Sequence, residues 1–470
     1  MKRILKLTGL GIIVSMALLS CTSNSKAPEI PNIIYILADD LGYGDLGCYG
    51  QEIIQTPNID KLASQGVRFT QHYAGSTVCA PSRCSLMTGL HTGHTYVRGN
   101  RATKPMGQLP LPESTVTVAK SLKNAGYSTA LIGKWGLGGP GSVGTPNKQG
   151  FDYFYGYLCQ RHAHNYYPEF LFRNDELVPL SGNRVDNSRG DGAGVAIERA
   201  QYTHDLIADE ALQFVKTNSK NPFFLYLALT IPHANNEAGG EGMEVPDYGA
   251  YADKDWPDAQ KGHAAMISRM DRDVGRLMKA LDELGILKNT LVIFTSDNGP
   301  HREGGADPEF FNSNGKLRGI KRDLYEGGIR VPMIAHWPDE IEPGTVSQHI
   351  SAFWDFMPTA CDIAGIDVPQ DLDGISFLPS LTGNTKEQLE HEYLYWEFHE
   401  AKYTKQAVRY ENWKLVKLDP AAPPELYNLE TDIEEKFDVS QEHPDILEKA
   451  EEMFNDRTES EHFEFRQSVK

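Results

Sequence analysis

The chain has 470 residues and a formal net charge of -19, with 40% apolar, 23% charged and 10% aromatic residues. Those proportions exclude a disordered or low-complexity chain and leave room for two or three domains around a large core. The acidity excludes a protein that tracks nucleic acid or other polyanions. Six Cys are too few for a disulfide scaffold.

Lys2, Arg3 and Lys6 precede an apolar stretch, Leu7 to Leu19, that ends in Leu18-Leu19-Ser20-Cys21. A basic region followed by an apolar one is a secretory signal; the stretch is short for a membrane span. The ending Leu-Leu-Ser-Cys resembles a bacterial lipoprotein signal. That resemblance implies loss of residues 1–20 and lipidation of Cys21. It places the protein on a lipid anchor, in the periplasm or at the cell surface of a Gram-negative bacterium. Residues 21–30 then form a polar tether. Processing removes three positive charges and leaves about -22.

Further along, short apolar runs end in polar residues. Ile33–Ala38 runs into Asp39-Asp40, and Ser128–Ile132 into Gly133-Lys134. Phe223–Leu229 runs into Pro232-His233, and Leu291–Thr295 into Asp297-Asn298. Val331–His336 follows a Gly-rich turn. Such runs predict strands buried on both faces. Val116–Asn124, His204–Lys216 and Ala264–Leu284 read as amphipathic helices, the last closed by Gly285. Alternating strands and helices predict an α/β fold around a large, mainly parallel sheet sandwiched by helices, with ligands beyond the carboxyl ends of the strands. The segment from about Leu137 to Val195 is rich in Gly, Asn, Tyr and Pro and reads as long surface loops. The pattern then changes near Gly383. Glu392–Glu397, Gln406–Tyr410 and Trp413–Leu418 read as short strands and Asp445–Asn455 as a helix. The expected organisation is a catalytic domain over 31–384 and a smaller α+β domain with an antiparallel sheet over 385–470.

One segment carries the chemistry: Cys79-Ala80-Pro81-Ser82-Arg83, continuing Cys84-Ser85-Leu86-Met87-Thr88-Gly89. It resembles the signature of the type I sulfatases, members of the alkaline phosphatase-like superfamily, in which the Cys of C-x-P-S-R becomes formylglycine. Matching blocks are Ala38–Gly47, Gly126–Thr129 with Gly133-Lys134-Trp135, Thr295–His301, Gly319–Pro332 and Asp355–Gly365. They extend over nearly the whole mature chain. The resemblance implies a sulfatase that cleaves a sulfate ester, through formylglycine made from Cys79 by an exogenous maturation enzyme. Arg83, Lys134 and Lys321 match the family's sulfate-holding cations, and His233 matches the histidine that protonates the leaving alcohol. Asp39, Asp40, Asp297 and Asn298 match the metal ligands. Three carboxylates and an amide oxygen suit a hard cation, Ca²⁺ or else Mg²⁺. A soft thiolate is a poor neighbour for such an ion, whereas an aldehyde hydrate presents oxygens. Pro81 fits the first turn of a helix, which puts Cys79 beside free backbone N–H groups and the positive end of the dipole.

The expected substrate is a sulfated carbohydrate, with Arg98, Asn100, Arg101, His162, His164, His301 and Glu303 facing it. The chain departs from the family at Gly136, where a His normally contacts the formylglycine hydroxyl; His162 and His164 are candidates to replace it. Two alternatives are a phosphodiesterase or phosphonate hydrolase of the same superfamily, and a lipid-anchored glycan-binding protein with a weakened site.

Overall fold

The computed structural model describes residues 30–186 and 190–468. The predicted signal, Cys21 and nearly all of the tether lie outside the described residues. No helix among those residues is long and apolar enough to cross a membrane.

The core is one large mixed sheet. Its strands are β1 (Asn32–Asp39), β2 (Val67–Tyr73), β3 (Ser128–Lys134), β4 (Tyr153–Tyr157), β5 (Phe170–Arg173) and β6 (Glu176–Pro179). After a separate hairpin, β7 (Arg184–Asp186) with β8 (Val195–Glu198), it takes up β9 (Phe223–Pro232), β10 (Thr290–Ser296), β11 (Arg330–His336), β12 (Thr345–Ser347) and β13 (Ser351–Ala352). The spatial order is β12-β2-β11-β10-β1-β9-β3-β4-β5-β6, with β13 on β2. The run β10-β1-β9-β3-β4 is parallel throughout.

All eight residues of β1 are buried, because the two faces of the strand feed two cores. Ile34, Ile36 and Ala38 pack on one side with α1 (Pro57–Ser64), α4 (Thr203–Asn218) and α5 (Asp258–Glu283). Ile33, Tyr35 and Leu37 pack on the other with α2 (Cys79–Thr88), α3 (Val118–Asn124) and α7 (Phe356–Ala364). A sheet covered on both faces leaves no polar side, so its strands read as continuous apolar runs.

The predicted helices are present with shifted ends. The first begins at Val118 rather than Val116, because the Thr117 side chain accepts a hydrogen bond from the Lys120 amide at 3.2 Å and caps it. The long helix starts at Asp258, straight after Pro257, instead of Ala264. Residues 331–336 do form a strand, but β11 runs antiparallel to both neighbours, β10 and β2.

The expectation of surface loops over 137–195 is corrected. This stretch contributes β4, β5 and β6 to the sheet edge, and Phe151, Phe154, Tyr157, Leu158 and Tyr166 lie in the cores. Its strands are only three to five residues long, too short to show a period against so many Gly and Asn.

Beyond α8 (Leu378–Leu381), the C-terminal part is an antiparallel sheet of β14 (Tyr393–Phe398), β15 (Lys405–Tyr410), β16 (Trp413–Lys417) and β17 (Glu425–Asn428). One face packs on α9 (Pro444–Met453) through Tyr395, Val408, Leu415, Ile446 and Ala450. The other packs on the main domain, where Trp396 meets Tyr73 and Trp354.

Between the domains lies a buried ionic knot. Glu326, at the start of the short α6 (Glu326–Ile329), takes hydrogen bonds from Lys414 at 2.9 Å and from the Tyr73 hydroxyl at 2.8 Å. Its amide donates to Glu435 at 2.8 Å. Burial, reinforced by Glu326, pushes the Glu435 carboxyl up to about 8, so it holds a proton that the unfolded chain would release. A carboxyl raised in this way contributes full stability at acid pH, and the contribution fades as pH rises from about 4.5 towards 8. Glu435→Gln keeps the neutral form. Its melting temperature relative to wild type is therefore expected to climb steadily between pH 5 and pH 8; a pH-independent difference in thermal melts contradicts this.

Candidate active site

Four adjacent strands end at one place. In sheet order β10-β1-β9-β3, their carboxyl ends carry Asp297-Asn298, Asp39-Asp40, His233 and Lys134. This is the crevice where open α/β sheets place ligands. β3 can approach β9 there because position 133 is glycine: a Cβ on Gly133, with φ at +117°, would stand 1.8 Å from the Ala228 carbonyl oxygen. Cys79 opens α2, all ten of whose residues are buried, and the Ala80 amide is satisfied by Asn100 at 3.1 Å. Lys321 arrives on the loop before α6, its amide bonded to the Pro300 carbonyl at 2.9 Å.

Around Cys79 the groups interlock. Its sulfur lies 3.4 Å from Asp39 Oδ1 and 3.4 Å from Lys134 Nζ, and Lys134 donates to Asp39 Oδ2 at 2.6 Å. Arg83 donates to Asp297 Oδ2 and to the Lys134 carbonyl, both at 2.8 Å. Lys321 donates to Asp40 Oδ2 at 2.8 Å and to His233 Nε2 at 3.1 Å. Three carboxylates thus face three cations in a place without solvent.

The electrostatics follow from that crowding. Burial works against the charges on Asp39 and Asp40, but Lys134 and Arg83 hold the first below the usual carboxylate range, and Lys321 holds the second there. Asp297 loses the contest: burial and then Asp39 push it up to about 7. Burial and the Asp39 charge raise the Cys79 thiol well above its ordinary value. The thiol therefore stays protonated, a poor nucleophile and a poor ligand. His233 is driven well below its ordinary value by burial and then by Lys321, so it is neutral. Its Nδ1 donates to the Ala234 carbonyl at 2.6 Å, which leaves the Nε2 lone pair facing the Lys321 ammonium.

The donor set fits a hard cation. Asp39, Asp40, Cys79 and His233 bring ligand-type atoms within 4.8 Å of one another. Asn298 adds an amide that donates to Asp40 Oδ1 at 2.7 Å, while its Oδ1 is buried with no hydrogen-bond partner. A buried carbonyl oxygen without a donor costs roughly 1–3 kcal/mol unless a positive centre meets it. Asp297, whose oxygens take Arg83 and the Asp40 amide, stands behind the other two carboxylates. A divalent ion would relieve their mutual repulsion.

The substrate-facing candidates divide. His164, Glu303 and His301 are at the site. The His164 ring stacks on His233 with centroids 4.8 Å apart, and its Nδ1 meets Glu237 at 3.1 Å. Glu303 takes hydrogen bonds from Lys321 at 3.1 Å and Arg322 at 2.6 Å. His301 uses both ring nitrogens on backbone, Nε2 toward Pro232 and Nδ1 toward the Glu303 amide, and so orients Glu303.

His162, Arg98 and Arg101 are corrected. His162 is wholly buried among Tyr157, Phe170 and Phe172, with neither ring nitrogen bonded, and burial lowers it to about 3. It is a core residue. Arg98 is consumed by Glu397 and the Thr458 carbonyl, both at 2.8 Å, and joins the two domains. Arg101 is exposed and donates to the His462 carbonyl. Asn100 caps α2 instead of pointing at a ligand.

Gly136 has an answer that sequence reasoning missed. A Cβ there would stand 2.0 Å from Gln160 Nε2, so the Gln160 side chain fills that space. Both its amide atoms are buried and unpartnered. The only signal was its place in the run of polar residues ending at His164.

Comparison with known proteins assigns the chain to a family. The sulfatase family model matches residues 31–366, and the model of the C-terminal part of N-sulphoglucosamine sulphohydrolase matches 320–460. The protein is a sulfuric ester hydrolase. The chain belongs to the sulfatase family. It is 30% identical to an N-acetylgalactosamine-6-O-sulfatase of Bacteroides thetaiotaomicron, over 92% of this chain and 93% of the relative. It is 34% identical to the steryl-sulfatase of Mus musculus, over 85% of this chain and 72% of the relative. The crystal structure of Ps i-CgsB in complex with k-i-k-neocarrahexaose superposes with a TM-score of 0.76 at 30% identity, covering 94% of this chain and 96% of that one.

Asn298 offers a direct check on the cation. Calcium is expected to raise the melting temperature of the wild-type protein and a chelator to reverse it. Asn298→Ala should weaken the apparent calcium affinity in thermal-shift titrations by roughly tenfold or more, within the range for lost metal-site contacts. An undiminished response contradicts the assignment.

Proposed function

We propose that this protein is an exported, lipid-anchored carbohydrate sulfatase whose Cys79 is matured to formylglycine beside a bound Ca²⁺, Mg²⁺ being the alternative ion. The observation that carries the reading is the Cys79 thiol itself. It is held protonated among three carboxylates and an unpaired amide oxygen, a setting that suits an oxygen nucleophile and a hard cation and disables a thiol. The N-acetylgalactosamine-6-O-sulfatase relative and the neighbour solved in complex with k-i-k-neocarrahexaose support a glycan substrate.

Asp39, Asp40, Asp297 and Asn298 would hold the cation. When bound, ion and hydrated aldehyde would supply a polarised hydroxyl able to attack sulfur. The chain's own groups do the rest. Arg83 is locked by Asp297 and the Lys134 carbonyl, so it stays fixed while charge develops nearby. Lys134, beside Cys79, neutralises the sulfate oxygens. With three carboxylates against three cationic side chains, a divalent ion would leave the pocket with net positive charge for an anionic ester.

The leaving sugar oxygen needs a proton. The resemblance assigns that task to His233, yet its Nε2 is an acceptor at rest. Lys321, held charged by Asp40 against burial, keeps Nε2 unprotonated at rest; an anionic sulfate engaging Lys321 would offset that charge, so that His233 takes up a solvent proton at Nε2 and delivers it, and the two act as a pair.

Two measurements test the reading. Position-defined sulfated mono- and disaccharides, aryl sulfate and an aryl phosphate diester are to be compared, using protein whose formylglycine content is known from mass spectrometry. Release of sulfate that scales with formylglycine content, and is lost in Cys79→Ala, is expected. Full activity from protein carrying only a free thiol, or preferential cleavage of the diester, defeats it. Labelled palmitate should enter the wild-type protein in its host and not Cys21→Ala; label kept by the variant defeats the anchor.

A further inference from the structure

The groups around Cys79 are sealed from water. The side chains of Asp39, Asp40, Arg83, Lys134, His233 and Lys321 are each at most 3% exposed. Exposure then climbs along one line of contacts. Lys321 pairs with Glu303, which is 21% exposed, and Glu303 pairs with Arg322, which is 45% exposed. Glu303 Oε2 accepts from Lys321 at 3.1 Å and lies 3.9 Å from His233 Nε2, while its Oε1 accepts from Arg322 Nη1 at 2.6 Å. A single carboxylate therefore stands between the buried Lys321 ammonium and a guanidinium in solvent. An ester whose sulfate reaches Lys321 brings the atoms beside that sulfate up to this pair.

Arg322 is held there against its own backbone preference. Its φ is +76°, a conformation that a long side chain adopts rarely and that glycine takes freely. The conformation is pinned at both ends. The Arg322 amide donates to the carbonyl of Thr77, two residues before Cys79, at 3.1 Å, and the Arg322 carbonyl accepts from Lys405 at 3.1 Å. An unfavourable backbone kept beside a reaction centre points to a use for the side chain it carries. Yet within the protein that side chain has little to do. Among the described residues, Nη1 is its only hydrogen-bonded nitrogen, and Glu400 stands 4.0 Å from Nε, beyond hydrogen-bond reach. Open guanidinium N–H groups beside a carboxylate offer a donor and an acceptor together. A sugar hydroxyl, which both gives and takes a hydrogen bond, matches such a pair.

We propose that Glu303 and Arg322 form a specificity-determining pair that reads a hydroxyl of the sulfated sugar close to the sulfate-bearing carbon. This rests on the carbohydrate sulfatase reading and adds the residues that tell a sugar from any other sulfate ester.

The test uses Arg322→Gly and Arg322→Asn, because both residues accept a positive φ; either suffices should the other fail to fold. With confirmed formylglycine, wild type and variants are assayed on 4-nitrophenyl sulfate, which has no hydroxyl, and on the 4-O- and 6-O-sulfates of galactose and N-acetylgalactosamine. The readout is the ratio of kcat/KM for the sugar that wild type cleaves fastest to kcat/KM for the aryl ester. A general weakening of the site by an unpaired Glu303 cancels in that ratio. It is expected to fall by about tenfold or more in the variants, as befits a lost charged hydrogen bond to substrate. Monodeoxy forms of the same sugar locate the hydroxyl: one of them should be poorer for wild type by about tenfold or more, and that penalty should largely vanish in the variants. A ratio within about threefold of wild type in a folded variant overturns the pair, and so does a wild type indifferent to every monodeoxy form. If aryl sulfate is cleaved and no sugar is, the carbohydrate reading falls and the pair with it. If aryl sulfate is also inert despite confirmed formylglycine, the sulfatase reading itself is at fault.

Discussion

Three carboxylates at the ends of adjacent strands, buried together, are the constraint that organises this molecule. No protein keeps Asp39, Asp40 and Asp297 in contact without an equal supply of positive charge. Arg83 comes from α2, Lys134 from β3 and Lys321 from the long loop between β10 and α6. The sheet order β10-β1-β9-β3 is what lets one point draw on so many parts of the chain. Burial also raises the stakes of each contact, since an ion pair broken there leaves an uncompensated charge. Asp40 pays a backbone cost as well, sitting at φ +62°, a conformation that non-glycine residues adopt rarely. That strain lies where function requires the carboxylate to turn away from the strand axis.

Much of this was legible in the sequence, for definite reasons. Strands buried on both faces announce themselves as apolar runs, and the polar residues that stop them stand at the crevice. Asp39, His233, Lys134 and Asp297 were readable in that way before any coordinate. The short edge strands β4 to β6 were not, because a period cannot show in four or five residues. The antiparallel course of β11 was hidden too: strand direction depends on pairing, which leaves no mark in a single apolar run.

Individual site residues show the same limit. His162 and His164 stand two apart in one loop and look equivalent in sequence. One is walled in by Tyr157, Phe170 and Phe172, and the other lies against His233. Arg98 looked like a loop arginine awaiting an anion, and its anion turned out to be Glu397, 299 residues away. Gln160 was overlooked because glutamine carries no charge to attract notice; only the space beside Gly136 reveals it.

The loop that delivers Lys321 has a further meaning. It is gripped from outside the main sheet: Lys405 donates to the Arg322 carbonyl, Glu425 accepts from the Tyr325 hydroxyl, and Lys414 donates to Glu326. These three partners belong to β15, β17 and β16 of the C-terminal sheet. The matches to the two family models overlap on the same stretch, one running to 366 and the other starting at 320. The seam between the halves therefore passes through Lys321. Neither half is a module that could be exchanged between relatives as a unit. Recombination that swaps the tail would have to bring residues 320–366 with it, and substitutions in β15 to β17 would act on the reaction from a distance.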